Sequence, residues 1–345
     1  MAQEQHPKVA HTRRIGRTAL EVSALGLGTA PLGGLYRDLS EEEAQATVDA
    51  AWQAGIRFFD TAPHYGHTKA EHRLGAALRR YPRNEYVIST KVGRHFVPRT
   101  HPYDGSEGWQ NPLPFEAIFD YTRDGILRSF EDSQQRLGLV EIDILLVHDI
   151  GRYTHGERNE HYWRQLSDSG FKALDELRKA GVIKAIGFGV NEREVILEAM
   201  QEFDIDCALL AGRYTLLEQA PLDDLLPECE KKGVSILLGG AFNSGILAHG
   251  LLGELKFNYV DAPQEVVERV ARLETICRTY DAPLAAAALQ FPYAHPAVAT
   301  VLNGARSPQE VRENAASFET RLPRELWLAL RDKGLLDPRA PLPQA

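Results

Sequence analysis

Short apolar runs alternate along most of the chain with longer stretches in which apolar residues return every third or fourth position. The first pattern fits buried strands and the second amphipathic helices. A run at 25–29 is followed by Ser40-Glu41-Glu42-Glu43, which reads as a capping box opening a helix that ends near Ala54, before Gly55. Phe58 and Phe59 make a second run, which stops at Asp60 and gives way to a Pro/Gly-bounded loop carrying Tyr65. Helical spacing then puts Ala70, Leu74, Ala77 and Leu78 on one face over 68–80. The β-branched run 86–90 ends at Lys91, and the run 142–147 ends at His148-Asp149. Between them lie a long irregular stretch, 95–114, expected to be a binding loop, and a helical pattern over 115–137.

The alternation continues to the end. A second extended loop covers 150–165. Helices are expected over 166–180, 192–203, 221–232, 263–280, 284–291, 308–318 and 323–333, and strands over 185–189, 207–210, 234–238 and 299–302. Residues 12–23 alternate around Gly16-Arg17-Thr18, as a hairpin capping the main fold would. Eight strands counted from Leu25, each followed by a helix and with no Pro-rich linker, predict one domain over 1–345: an α/β fold, a closed (β/α)8 TIM barrel with an N-terminal β-hairpin cap and extended βα loops for substrate. A doubly wound sheet fits less well, because most strand ends meet polar or Gly-bearing loops on what would be a single rim. Gly26-x-Gly28 suggests a dinucleotide fingerprint, but Pro31 holds the third glycine position and no helix opens there.

Composition narrows the function class. With 39 basic and 48 acidic residues the net charge is −9, which argues against a surface for nucleic acid or anionic lipid. Residues 1–7 lack the apolar core of a signal peptide, and no run approaches the ~18 apolar residues of a membrane span, so a cytoplasmic protein is expected. Cys207, Cys229 and Cys277 are widely spaced, without a CxxC pair, and read as structural thiols rather than a disulfide framework or a metal site.

In a barrel, Asp60, Tyr65, Lys91 and His148 come from neighbouring strands at one mouth, where such enzymes carry out their chemistry. A phenol of ordinary pKa near 10 needs a nearby cation for acid/base work at neutral pH. Lys91 is expected to supply it and favour tyrosinate, with Asp60 holding the lysine charged. Tyr65 would then exchange a proton with an alcohol or carbonyl oxygen while hydride moves at carbon, and His148 would orient that oxygen. Singly, each has a plainer reading: a structural ion pair, a packed loop aromatic, a satisfied core histidine. Their joint placement is what favours a site.

The run from Gly55 to Gly66, with Glu71 and Leu74-Gly75, closely resembles the aldo-keto reductase signature, supported by Ser89-Thr90-Lys91, by Leu145-Leu146-Val147-His148 and by Gly304-Ala305-Arg306-Ser307 with Glu313-Asn314. The likeness extends from about Thr12 to Phe318. It implies a metal-free barrel that uses a nicotinamide cofactor, with Asp60, Tyr65, Lys91 and His148 as its catalytic tetrad. It also implies a pyrophosphate clasp at 239–247, including Gly239, Phe242, Ser244, Gly245 and Leu247, and an adenosine site formed by Gly304, Arg306, Glu310 and Asn314. Gly28 and Thr29 join this cofactor side. Where most members carry a Ser-Asn pair after strand five, this chain has Gly189-Val190-Asn191, so Asn191 is the candidate for the nicotinamide amide. Phe242 is either a stacking partner or simple packing. Glu310 stands where NADPH-using members have an arginine; its charge disfavours a 2′-phosphate, whereas Arg306 favours one. NAD is expected, with NADP possible.

The loops resemble those of the family's aldose dehydrogenase branch, which oxidises the anomeric C1 hydroxyl of sugars such as L-fucose, L-galactose or D-arabinose to the lactone. His95, Trp109, Asp149 and Arg152 are the substrate-binding candidates beside Tyr65 and His148, for a sugar lactol as the small-molecule partner. Pyridoxal dehydrogenases resemble the same branch, since pyridoxal also forms a cyclic hemiacetal; general aldehyde or ketone reduction is a further alternative. A non-catalytic, cofactor-binding regulatory subunit is the alternative from another class, against which the intact tetrad and the lack of an extended N-terminal segment argue.

Overall fold

The computed structural model describes residues 6–344; residues 1–5 and 345, at the ends of the expected domain, and most of the stretch read for a signal peptide lie outside the described residues. Eight parallel strands close into a barrel: β1 (Leu25–Gly28), β2 (Phe58–Asp60), β3 (Val87–Val92), β4 (Ile144–His148), β5 (Ala185–Val190), β6 (Cys207–Ala211), β7 (Ser235–Gly239) and β8 (Val298–Gly304). Each pairs with the next in sequence, and β8 closes on β1. The outer layer is formed by α1 (Glu41–Gln53), α2 (Lys69–Leu78), α3 (Arg123–Leu137), α4 (Phe171–Lys179), α5 (Arg193–Glu202), α6 (Leu225–Lys232), α7 (Gln264–Thr279), α8 (Leu284–Tyr293), α9 (Pro308–Phe318) and α10 (Arg324–Asp332). The capping box at α1 is present, with Ser40 and Glu43 bonding each other's backbone amides.

Strand periodicity divides the core in two. Phe58, Ile144, Leu146, Cys207, Leu209 and Leu237 fill the barrel interior, while Phe59, Leu145 and Val147 pack outward against the helices. Continuing the same parity places Asp60, Lys91 and His148 on the inner side at the C-terminal rim. The hairpin Thr12–Arg14 with Glu21–Ser23 seals the opposite end, and its Ile15 and Val22 join the interior cluster. Burying this apolar plug keeps water from the barrel floor.

The expected helix over 115–137 begins only at Arg123, where Thr122 accepts the Gly125 amide as N-cap. Phe115–Phe119 is instead a strand, antiparallel to Arg94–Pro98, so the expected irregular loop is a hairpin with a tip. Its aromatic and β-branched residues satisfy their backbone across the pair rather than along a helix. The stretch 150–165 likewise contains two short helices, Arg152–His155 and Asn159–Gln165. All three cysteines are free and buried. Among the described residues no helix is long and apolar enough to cross a membrane, and no three His, Cys, Asp or Glu side chains are grouped to hold a metal ion.

Candidate active site

Asp60 ends β2, and its carboxylate accepts from Ser89 Oγ and from Lys91 Nζ, both at 2.7 Å. Lys91 Nζ also donates to the Thr61 carbonyl at 2.9 Å. The lysine stem crosses the barrel against Gly189 of β5, where a Cβ would stand 3.1 Å from Lys91 Cε. Both charges are almost wholly buried, which is tolerable because each has a close partner and further hydrogen bonds. Burial pulls the ammonium down, but Asp60 and Tyr65 outweigh it and hold Lys91 at about 12.

Tyr65 reaches the site from the loop after β2. Gly33 and Gly66 let that loop cross the loop after β1: a Cβ on Gly66, at φ 63°, would stand 2.2 Å from the Gly33 carbonyl oxygen. The Lys91 ammonium lies 4.8 Å from the Tyr65 ring centroid. The expected tyrosinate does not result. Burial penalises the phenolate more than Lys91 stabilises it, and the pKa stands raised, at about 12, so the phenol is protonated at neutral pH.

His148 ends β4 on the facing side, its ring 6.2 Å from that of Tyr65. Its backbone oxygen accepts from Tyr121 Oη at 2.7 Å, and the same hydroxyl meets His155 Nε2 at 3.0 Å. Burial, then the charges of Arg94 and Lys91, hold His148 well below the usual histidine range, so the imidazole is neutral. Its Nδ1 is buried without a partner.

Around these residues the loops build a pocket that is partly charged and partly aromatic. Trp109, only 5% exposed, packs its ring 5.9 Å from Tyr65 and 5.2 Å from His64. The loop carrying it is fixed by Gln110 N to Gly34 O and by Leu113 N to Gly66 O. Asp149 follows His148 and is paired with the buried guanidinium of Arg94. His95 is not in this group. One position along the same strand, its side chain is buried with Asp120 and the α3 residues Arg128, Asp132 and Arg136 as its charged surroundings, because strand alternation aims Arg94 at the site and His95 away from it. Arg152 is exposed on the short helix after β4. Arg94 and His64 are the residues that sequence reasoning passed over. The signal for His64 was its place beside Tyr65; for Arg94 it was a cation three residues past Lys91 at a strand end.

Residues 24–334 match the aldo/keto reductase family. The chain belongs to the aldo/keto reductases. It is 51% identical over 343 residues to pyridoxal 4-dehydrogenase of Microbacterium luteolum, covering 96% of this chain and 99% of that protein. It is 40% identical over 322 residues to D-threo-aldose 1-dehydrogenase of a Pseudomonas species, covering 92% and 95%. A holo-form aldo-keto reductase from Bacillus halodurans superposes with a TM-score of 0.73 at 28% identity, covering 96% of this chain and 97% of that one.

Aldo/keto reductases use nicotinamide cofactors, and the strand ends and loops around Asp60 carry unsatisfied polar groups that suit one. Thr29 Oγ1, Thr61 Oγ1, Asn243 Oδ1 and Asn303 Nδ2 are buried without partners among the described residues. After β7, Gly240, Asn243, Ser244 and Gly245 all take positive φ, and at Gly245 a Cβ would meet nothing within 4 Å, which leaves an open cradle. Gly239 ends β7, Phe242 packs half-buried on the core, and Leu247 is buried in the short helix that follows. Asn191 donates to the Ala211 carbonyl at 3.4 Å, and its own carbonyl accepts from Arg213. Past Gly28 and Gly304, Glu310 binds Arg306 twice, at the backbone amide (2.8 Å) and at Nε (3.0 Å), and Asn314 lies one turn further along α9. The guanidinium is therefore neutralised by its own helix.

Proposed function

We propose that the chain is an NAD-linked dehydrogenase that oxidises the ring hydroxyl of a cyclic hemiacetal, the C1 hydroxyl of an aldose, to the lactone. The observation that carries this reading is the buried Asp60–Lys91 pair at 2.7 Å, set beneath Tyr65 and opposite a neutral His148. The ionised form of Tyr65 takes the hydroxyl proton on Oη as C1 is oxidised, and His148 holds the same oxygen by a hydrogen bond. Lys91 stabilises that phenolate before it takes the proton, against the burial that otherwise keeps the phenol protonated. A bound nicotinamide would supply the chemistry that these side chains lack, a hydride acceptor for C1. Thr29, Asn191 and the 239–247 loop would hold it, and Trp109 closes the pocket over the substrate face.

Glu310 supports NAD over NADP. With Arg306 already engaged, a 2′-phosphate meets the Glu310 carboxylate, whereas a ribose hydroxyl can donate to that carboxylate. Pyridoxal is the second substrate reading, favoured by the 51% identity to a pyridoxal 4-dehydrogenase and consistent with the neighbouring aromatic rings of Trp109 and Tyr65, tilted 45° to each other. The deciding experiment follows absorbance at 340 nm with NAD and L-fucose, L-galactose, D-arabinose and pyridoxal in turn. Turnover of an aldose supports the first reading and turnover of pyridoxal alone the second. Cofactor binding without turnover of any of them points to a binding role instead.

A further inference from the structure

Two buried cations flank the proton-transfer groups. Lys91 is bonded to Asp60 and Thr61, whereas Arg94 keeps an unused donor: its side chain is 6% exposed, Nη2 engages Asp149, and Nε is buried with no partner among the described residues. The guanidinium rests over the Phe119 ring at 5.0 Å, which fixes its plane. Asp149 is held in turn. Its backbone takes the left-handed conformation at φ 45°, its amide donates to the Gly189 carbonyl at 2.9 Å, and its Oδ2 lies 3.5 Å from His148 Nε2. Among the described residues Oδ1 accepts no hydrogen bond, and the side chain remains 23% exposed, facing the pocket.

A carboxylate held this firmly with one free oxygen is an acceptor waiting for a donor. It stands beside the imidazole that the reacting oxygen must meet. A hydroxyl on the carbon next to the one being oxidised can donate to Asp149 while the reacting oxygen bonds His148 and Tyr65. Building on the aldose reading above, we propose that the Arg94–Asp149 pair is the specificity element of the site, recognising the hydroxyl vicinal to the oxidised one: the C2 hydroxyl of an aldose. Arg94 is the positioning residue. It holds Asp149 in place beside His148, and its charge opposes the burial that pushes the Asp149 carboxyl up. A substrate lacking that hydroxyl buries Asp149 against carbon and loses a charge-assisted hydrogen bond, a loss of roughly 10- to 100-fold.

The test compares kcat/KM, with NAD, for D-arabinose and 2-deoxy-D-ribose, which lacks only the C2 hydroxyl of that pentose. The wild type prefers arabinose by roughly 10- to 100-fold. In Asp149→Asn the preference falls below about threefold, because the neutral amide no longer rewards the donor. Asn tolerates left-handed backbone, so the loop keeps its shape. The ratio of two substrates on one protein is insensitive to partial misfolding. Should Asp149→Asn fail to fold, Arg94→Gln gives the second reading: a raised KM for arabinose with kcat largely kept, and a reduced ratio. A wild-type ratio near one, or an unchanged ratio in both variants, overturns the inference while leaving the aldose reading intact. Turnover of no aldose at all overturns that reading and this inference together.

Discussion

Replacing Asp60 by Asn removes one charge from the site while leaving an acceptor of nearly the same shape for Lys91 and Ser89. In the wild type the ammonium is about 2% exposed and bonded at 2.7 and 2.9 Å, so its charge depends on Asp60 rather than on water. Breaking a buried pair by neutralising one partner costs roughly 3–5 kcal/mol, and the retained amide oxygen puts this case near 3. Lys91 has one escape, which is to lose its proton. One pKa unit is worth about 1.4 kcal/mol, and a lysine ordinarily titrates at about 10.4, so neutralisation costs roughly 5 kcal/mol at pH 7 but less than about 1 kcal/mol at pH 10. That cost is the ceiling on the charge penalty at each pH. In the wild type, the Lys91 pKa is raised to about 12, so its stabilising contribution is complete below the unfolded value and fades only as pH rises through 12. With ~2.1 cal/mol/K of unfolding entropy per residue, 3 kcal/mol corresponds to a fall in Tm of roughly 4 °C for a chain of 345 residues. Thermal unfolding of both proteins at pH 7 and pH 10, at one scan rate, measures it. The expected result is a deficit of roughly 4 °C at pH 7 that shrinks to about 1 °C at pH 10. A deficit under 1 °C at pH 7, or one equal at the two pH values, refutes the view of Lys91 as a buried ammonium held by Asp60.

Tyr65→Phe lowers kcat for oxidation by ~10²-fold or more while leaving the cofactor Kd, measured by fluorescence quenching, within about twofold; a kcat near wild type removes Tyr65 from the proton transfer. Because burial raises the Tyr65 pKa and both His64 and His148 are held well below the usual histidine range, kcat/KM for oxidation rises with pH from 6 to 9 without a histidine limb. A profile already flat at pH 7 means that Lys91 outweighs burial in the working enzyme. Glu310→Gln frees Arg306 and raises the NADP-to-NAD ratio of kcat/KM by roughly tenfold. If the wild type already prefers NADP tenfold, the charge argument at Glu310 fails.

Much of this molecule was written locally. Apolar runs stopping at Asp60, Lys91 and His148 marked the strand ends to within a residue, and period-two alternation put those three side chains on one face, so their convergence followed once the strands were read as a barrel. The cap of α1 was equally local, needing only Ser40 and Glu43 three residues apart. What pattern did not carry depends on partners distant in sequence. Phe115–Phe119 has apolar spacing compatible with a helix and becomes a strand only because Arg94–Pro98 lies beside it. That pairing then decides that Arg94, not His95, enters the pocket, since a strand admits only one of two neighbours to a given face. The state of Tyr65 was also beyond the sequence. Its pKa is a contest between burial and the charge of Lys91, and both terms are set by how tightly the loops of three different strands close over the mouth. Local periodicity thus determined which groups meet; the long-range packing of the loops decided their protonation, their partners and the shape of what they can bind.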